Sequence, residues 1–210
     1  MPTNATRGAA GRCGPGRPLR IRGTSPSAAT CRRLLAAHGV PEHIRRHSGQ
    51  VARVARQVSV ALQARGEPID ARLIEAAALL HDIAKAPCLE SRLDHAAEGG
   101  RVLRELGLPG VAAVVERHVH LGPWDPRGPV TEAEVVNYAD KRVLYEGVVS
   151  LEERFRDLIR RYGKGLPEFE ERIRRNWATM EAVEVKIFRA LPIRPGDIRA
   201  RRAPRAGARP

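Results

Sequence analysis

The chain has 210 residues, of which 42% are hydrophobic and 4% aromatic, and its formal net charge is +13. This length can form one domain with a sizeable core, and no run of about 18 apolar residues predicts a membrane span. The N-terminus lacks the apolar segment of a signal peptide. Three scattered cysteines without a Cys-x-x-Cys pair argue against a disulfide framework or a zinc ribbon. We therefore expect a cytoplasmic protein without membrane contact.

The positive charge is concentrated at the two ends of the chain. Residues 1–33 contain seven arginines and no acidic residue, and residues 191–210 contain six arginines and one aspartate, which leaves +1 for residues 34–190. We predict disordered basic tails at 1–28 and 191–210, flanking a domain at 29–190. Solvated tails are the favoured interpretation. Nucleic-acid contact is the alternative, but neither tail has aromatic residues on which bases could stack.

The first two predicted helices cover about 28–38 and 42–65. In the second, valines and a leucine are spaced by three and four residues, which predicts an inward apolar face. His47 precedes Val51 by four residues and therefore lies on that face.

A third helix is predicted at 71–85, with Asp70 as its N-cap and Pro87 as its stop. Its last turn contains the doublet His81-Asp82. Adjacent helical residues point about 100° apart, so they rarely share a partner, but a metal ion at the helix end is a partner that both could bind. An ordinary charged helix C-terminus is the alternative interpretation.

Helical patterns continue through the rest of the domain. We predict helices at about 92–106, at 110–118, from Thr131 through the capping box Thr131–Glu134, at 150–163, and at 167–190. Polar residues again lie on the apolar faces of the first three: His95, His118 and Asp140. Residues 111–115 could form a strand, but the flanking helices and the lack of a partner strand favour a helix. The last two helices could complete the core or form a dimer surface. The expected fold is an all-α bundle of about seven helices.

Six polar residues on or beside these apolar faces suggest one shared metal centre. They are His47, His81, Asp82, His95, His118 and Asp140. One buried histidine is more often a core residue with a backbone partner, but a metal centre explains all six together. Six donors exceed the four or so ligands of one tetrahedral ion, so we expect two divalent ions bridged by Asp82. Imidazole and carboxylate ligands favour Fe, Mn, Co or Zn, with Mg less favoured.

At these positions the sequence resembles the HD-domain metal-dependent phosphohydrolases of the small single-domain HD or HDIG type. The matching segments are Arg46-His47-Ser48, Leu80-His81-Asp82-Ile83-Ala84-Lys85 and Tyr138-Ala139-Asp140-Lys141. Their His…His-Asp…Asp order is the one that defines the family, and it covers roughly residues 40–145. His95 and His118 resemble the extra ligands of dinuclear members. Similar segments occur in HD-family symmetrical dinucleotide tetraphosphatases and cyclic-phosphate phosphodiesterases.

The resemblance implies an all-α fold and hydrolysis of a phosphate ester or anhydride by metal-activated water. The enzyme would be a phosphomonoesterase, a phosphodiesterase or a dinucleotide polyphosphate hydrolase acting on a small phosphorylated, nucleotide-like substrate. Asp82 and Lys85 would be catalytic, and Lys85, His120 and Lys141 would contact the substrate. The absence of a Gly-Tyr-Pro motif counts against cyclic-di-GMP. A homo-oligomer is compatible with the sequence. The alternative function is a metal-containing nucleotide-sensing module without turnover.

Overall fold

The computed structural model describes residues 25–91, 93–163, 165–189 and 191–198. The disorder predicted for the basic tails falls mostly on residues 1–24 and 199–210, which lie outside the described residues, so it stays a prediction. Within the described ranges the chain forms nine α-helices and one two-stranded hairpin. The predicted all-α class is therefore confirmed, with more helices than the predicted seven.

The elements follow one another along the chain with short connections. The helices are α1 Ala28–Ala37, α2 Glu42–Ala64, α3 Ala71–Leu80, α4 Lys85–Ser91, α5 His95–Glu105, α6 Pro109–Val115, α7 Glu132–Lys141, α8 Leu151–Leu158 and α9 Pro167–Phe188. A π-helical turn, Ile159–Gly163, continues α8, and a 3-10 turn, Pro195–Asp197, follows α9. Strands β1 Val143–Leu144 and β2 Gly147–Val148 pair antiparallel between α7 and α8.

Helix starts occur where side chains satisfy the free backbone N–H groups of the first turn. The Asp70 carboxylate accepts from the second and third residues of α3, as predicted. Capping boxes are present at the starts of α7 and α8: the predicted one joins Thr131 with Glu134 at α7, and a second joins Ser150 with Glu153 at α8. These signals act within three residues, which is why the sequence alone shows them.

Two predicted helix boundaries are wrong. The third helix does not run to Lys85 but ends at Leu80, and a turn carries His81 and Asp82 to α4. Pro87 does not stop a helix; it lies in the first turn of α4, where the missing N–H has no intrahelical partner to lose. The spacing from Val136 and Asp140 predicts that the helical stripe of α7 continues to Val143 and Leu144, but these two residues form β1.

The core is built around α2, which lies against α3 and α7, while α5 lies against α6. Gly99 permits a close approach of α5 to the turn after α3, because a Cβ there would lie 3.3 Å from Val115 Cγ1 and 3.5 Å from Ile83 Cγ2. A glycine within a helix lowers helix propensity, and the close packing that Gly99 permits compensates for this cost.

The C-terminal helix α9 is joined to α7 by buried polar contacts. Lys186 Nζ lies 2.6 Å from Glu134 Oε1, and the two side chains are 3% and 2% exposed. Tyr138 donates its hydroxyl hydrogen to Glu184 at 2.7 Å. The chain then continues along the core beyond residue 190, the predicted end of the domain, as far as Ile198, which is 3% exposed. None of the described helices is long and apolar enough for a membrane span.

Candidate metal centre

The six predicted ligands come together from five helices or their ends. In chain order they are His47 of α2, His81 and Asp82 directly after α3, His95 at the start of α5, His118 after α6 and Asp140 of α7. His81, Asp82 and His118 are almost fully buried. The His95 side chain is 26% exposed and lines the opening of the site. The histidines' positions on apolar faces, read from the sequence, thus correspond to one cluster in space.

Backbone carbonyl groups determine the ring orientation of three of the histidines. Because a carbonyl oxygen can only accept a hydrogen bond, each ring donates its Nδ1–H. The pairs are His47 with Tyr145 O at 2.9 Å, His81 with Ala78 O at 2.8 Å and His118 with Val115 O at 2.6 Å. The Nε2 atom of each neutral ring is therefore a lone-pair donor. This is the arrangement in which metal-binding histidines are held by their surroundings.

The Nε2 atoms face carboxylate oxygens at short distances. His47 Nε2 lies 3.0 Å from Asp140 Oδ1, and His81 Nε2 lies 3.3 Å from Asp82 Oδ2. Two lone-pair atoms this close repel each other unless a cation or a proton lies between them. Two ligand atoms each about 2.1 Å from one tetrahedral ion are about 3.4 Å apart. The observed separations therefore suit donors around a shared ion.

The other carboxylate oxygen of Asp82 faces two further histidines. Asp82 Oδ1 lies 3.4 Å from His95 Nε2 and 3.6 Å from His118 Nε2, and these two nitrogens are 3.1 Å apart. Asp82 Oδ1 and His81 Nε2 are buried without a hydrogen-bond partner among the described residues. Buried polar atoms almost always have partners. The two partnerless atoms therefore support a metal site at this position.

The donors divide into two groups of three that share one carboxylate. The groups are His47, His81 and Asp82, and Asp82, His95 and His118; within each, the donor atoms lie within 4.8 Å of one another. Asp140 Oδ1, 3.6 Å from His81 Nε2, adds a fourth donor to the first group. The second group has three donors, which leaves a coordination position open. The arrangement fits two ions bridged by Asp82, and the number of ions stays a prediction.

Electrostatic interactions favour the metal-binding forms of Asp82 and His95. Although burial opposes the shift, Asp82 and Asp140 raise the pKa of His81, so a metal ion bound there would replace a proton. Although burial opposes the shift, His81 and Lys85 hold the pKa of Asp82 well below its ordinary value. Burial and the neighbouring His118 lower the pKa of His95 to about 4. At neutral pH the carboxylate is therefore charged and the exposed imidazole is neutral, and both can donate electron pairs to a cation.

The two predicted lysines differ in how much of the ammonium group is free. Lys85 Nζ donates to Asp82 Oδ2 at 2.7 Å, and its side chain is 30% exposed. Lys141 is 6% exposed, and its Nζ donates to Asp140 Oδ2 at 2.7 Å and to the His118 carbonyl at 3.1 Å. Although burial opposes the shift, Lys141 holds the pKa of Asp140 well below its ordinary value. Lys85 thus has more capacity than Lys141 to contact a ligand.

A cavity of about 350 Å³ lies over the cluster, with Asp82, His95, His118 and Asp140 in its wall. His120 also lines it but belongs to neither donor group. Its side chain is exposed at the rim. This position is compatible with the predicted contact to substrate and offers no ligand to the two groups.

The remaining wall of the cavity comes from helices to which the sequence assigned no role. The lining residues include Arg154 of α8, Tyr162 of the π-helical turn, and Phe169, Arg172 and Asn176 of α9. Arg154 is 8% exposed, and its Nε and Nη1 have no hydrogen-bond partner among the described residues. It lies three residues after Leu151 and four before Leu158, on the apolar face of α8. That is the same pattern that singled out His47, so the sequence did contain the signal.

The part of the chain that matches a known protein family is the part that contains the candidate metal centre. The family model of the HD domain matches residues 44–143, a segment that contains all six predicted ligands. Residues 44–143 form an HD domain. The match confirms the resemblance, and HD-domain proteins are generally metal-dependent phosphohydrolases. Arg154 and the whole of α9 lie beyond the HD domain.

Two relatives extend the similarity beyond the HD domain. An uncharacterized protein of Methanocaldococcus jannaschii is 27% identical in an alignment over 139 residues. This alignment covers 60% of this chain and 81% of the relative. The tRNA (cytidine(56)-2'-O)-methyltransferase of Picrophilus torridus is 28% identical over 141 residues, 61% of this chain and 39% of that protein. The chain thus matches well under half of the methyltransferase. No solved structure was found to match the chain.

Proposed function

We propose that the protein is a metal-dependent phosphohydrolase that cleaves a phosphate ester or anhydride of a small nucleotide-like substrate. The observation that supports this proposal best is the pair of donor groups that share Asp82 beneath an open cavity. A structural metal site is closed by four protein ligands, whereas the second group has three donors and an exposed His95. Cationic side chains around the same cavity suit an anionic substrate.

The donor set fits two divalent ions of the Fe, Mn, Co or Zn type. One ion would be held by His47, His81, Asp82 and Asp140, and the other by Asp82, His95 and His118. When bound, such ions lower the pKa of a water molecule and offset the negative charge on phosphoryl oxygens. Six nitrogen and oxygen donors without thiolate agree with this choice of metals.

The two predicted catalytic residues act as a pair. Lys85 donates to Asp82 Oδ2, which leaves Asp82 Oδ1 directed at His95 and His118. Because Lys85 is partly exposed to the cavity, its remaining N–H groups can donate to a phosphoryl oxygen. Lys141 also lines the cavity, but its ammonium group is used by Asp140 Oδ2 and the His118 carbonyl, so it is assigned a positioning role.

Arg154, like Lys85, is assigned to bind the substrate phosphate. A buried guanidinium with unused N–H groups is costly. Asp157 Oδ2 lies 3.5 Å from its Nη1, which is within ion-pair distance, but no hydrogen bond joins the two atoms. A phosphate in the cavity would give Arg154 charge-assisted hydrogen bonds. His120, at the rim, would contact the part of the substrate that leaves the cavity.

The test is elemental analysis of the purified protein and its variants, followed by a screen of phosphate esters. We expect about two ions in the natural protein, about one in His47→Ala and in His118→Ala, and none in Asp82→Ala, because only Asp82 belongs to both groups. His43→Ala is the matched control, since His43 is an exposed histidine one turn before His47. Circular dichroism checks that each variant keeps its helices.

The activity screen separates the enzyme from the alternative. We expect release of phosphate or nucleotide by the metal-loaded protein, with loss in Asp82→Ala and Arg154→Gln. A protein that binds metal and nucleotide but hydrolyses no ester would be the nucleotide-sensing module. Retention of both metal and hydrolysis in Asp82→Ala would contradict the assignment of the site.

A further inference from the structure

A second cleft, of about 650 Å³, runs along α9 beside the cavity over the metal centre. The two depressions share the lining residues His120, Phe169, Arg172 and Asn176 and therefore lie next to each other. Pockets for small ligands begin at about 300 Å³, so the cavity of about 350 Å³ suits one compact group. A ligand that fills both depressions extends well beyond the phosphate at the metals.

The shared wall combines an aromatic surface with positive charge. Phe169 is 45% exposed, although it is large and apolar. The Arg172 guanidinium carbon lies 4.9 Å from the centre of the Phe169 ring. Arg172 forms no ion pair or hydrogen bond with the described residues, so its charge is available to a ligand. An exposed ring beside an arginine is the combination that binds a nucleobase and its phosphate.

The far part of the cleft adds a second aromatic ring and a second arginine, together with one acidic residue, Glu168. Trp124 and Arg175 line it, and Arg175 is 74% exposed even though it lies 3.4 Å from Glu171. Asn176 Nδ2 donates to the Val119 carbonyl at 3.3 Å, which joins α9 to the segment after α6. The cleft is thus formed without a ligand, which lowers the entropic cost of binding.

We propose that this cleft binds a second nucleotide unit of the substrate, with its base against Phe169 and its phosphate against Arg172. This inference rests on the proposed function, which places the first unit and its reacting phosphate at the metal centre. The occupant is a nucleotide joined through phosphate to the reacting unit. A dinucleotide with a 3′–5′ linkage and a dinucleotide with a polyphosphate linkage both have this chemistry. Because α9 lies outside residues 44–143, the two residues that would hold this second unit, Phe169 and Arg172, come from the C-terminal part of the chain, beyond the HD domain.

The test compares AMP with the dinucleotide pApA and with diadenosine tetraphosphate in the full-length, metal-loaded protein. The variants are Arg172→Gln and Phe169→Leu. Arg174→Gln is the matched control, because Arg174 is on the same helix, is 55% exposed, pairs with Glu170 and lines neither depression. For at least one dinucleotide, we expect the ratio of its KM to that of AMP to rise about tenfold in each variant and to stay unchanged in the control.

Binding is measured in parallel by isothermal titration calorimetry with methylene analogues that cannot be hydrolysed. A dinucleotide analogue should bind at least about tenfold more tightly than the AMP analogue, and Arg172→Gln should remove the difference. Tighter binding of one of the two dinucleotides supports the site and identifies the linkage. Equal binding of all three analogues, or equal weakening of all three in Arg172→Gln, would refute it. If no compound is hydrolysed but the Arg172-dependent preference persists, the proposed hydrolase fails and the second nucleotide site stands.

Discussion

Metal removal should destabilise the fold by an amount that depends on which donors remain. Without a cation, His81 Nε2 and Asp82 Oδ1 are buried without partners, and His47 Nε2 faces Asp140 Oδ1 at 3.0 Å. Chelation with EDTA therefore removes metal coordination. This coordination exists only in the folded chain, because the donors come from helices far apart in sequence.

The expected size of the effect follows from linkage between binding and folding. An ion at a free concentration of 100 times its Kd stabilises the folded state by about 2.7 kcal/mol. Two ions bound at this saturation, with additive contributions, would together contribute about 5 kcal/mol to the free energy of unfolding. For a chain of this size, each kcal/mol changes Tm by about 2–4 °C, so EDTA should lower Tm by roughly 10–20 °C.

The variants divide this effect between the two donor groups. His118→Ala leaves the first group complete and His47→Ala leaves the second, so the Tm decrease caused by EDTA should be about half that of the natural protein in each. Asp82→Ala removes a donor from both groups and should respond little to EDTA. Thermal unfolding followed by circular dichroism, with and without EDTA, measures the decreases. An equal decrease in Asp82→Ala and in the natural protein would refute the shared carboxylate, and His43→Ala is again the control.

Three further predictions concern the scaffold. Lys186→Met leaves Glu134 buried without its cationic partner and should lower the free energy of unfolding in urea by about 3–5 kcal/mol. The additional substitution Glu134→Gln should restore part of this loss. A loss under about 1 kcal/mol in Lys186→Met would contradict the prediction. Although burial opposes the shift, hydrogen bonds from Arg160 and Arg161 lower the pKa of Asp157. The charged Asp157 therefore stabilises the fold above about pH 4, and this contribution is lost as the pH falls through the lower pKa of the folded state. Asp157→Asn should thus be less stable than the natural protein at pH 7 by about 2 kcal/mol, with a difference that shrinks in acid; a constant difference would contradict the assignment. A chain of residues 25–198 should keep its helical content and its hydrolysis, because Ile198 completes the core, and loss of hydrolysis would assign a role to the tails.

Helix starts and ligand candidates could be predicted because their signals are local. Asp70 and Thr131 accept from N–H groups two or three residues away, so the N-terminal boundaries were readable from short segments. A histidine four residues from a valine on an apolar face is equally local, as His47 shows. Arg154 has the same signal, but it lies among other charged residues on an amphipathic helix, where a charge usually belongs to a solvated face.

Boundaries that depend on distant contacts could not be predicted. Whether Pro87 ends a helix or begins one depends on where the preceding helix stops. That helix stops at Leu80, and the turn after it directs Asp82 toward donors from three other helices. The segment at 143–144 has helical periodicity but forms a hairpin, in which Tyr145 adopts φ 55° and its carbonyl accepts from His47.

The sequence by itself determined the helical class and the chemical identity of the six donors, because periodicity and residue type are properties of short segments. Only the tertiary structure decided that Asp82 belongs to both donor groups, since this depends on distances between residues far apart in the chain. The same holds for the cleft along α9. The helix α9 is joined to α7 by the buried Lys186–Glu134 pair, whose partners are 52 residues apart, and no local pattern shows which face of α9 will lie beside the metal centre.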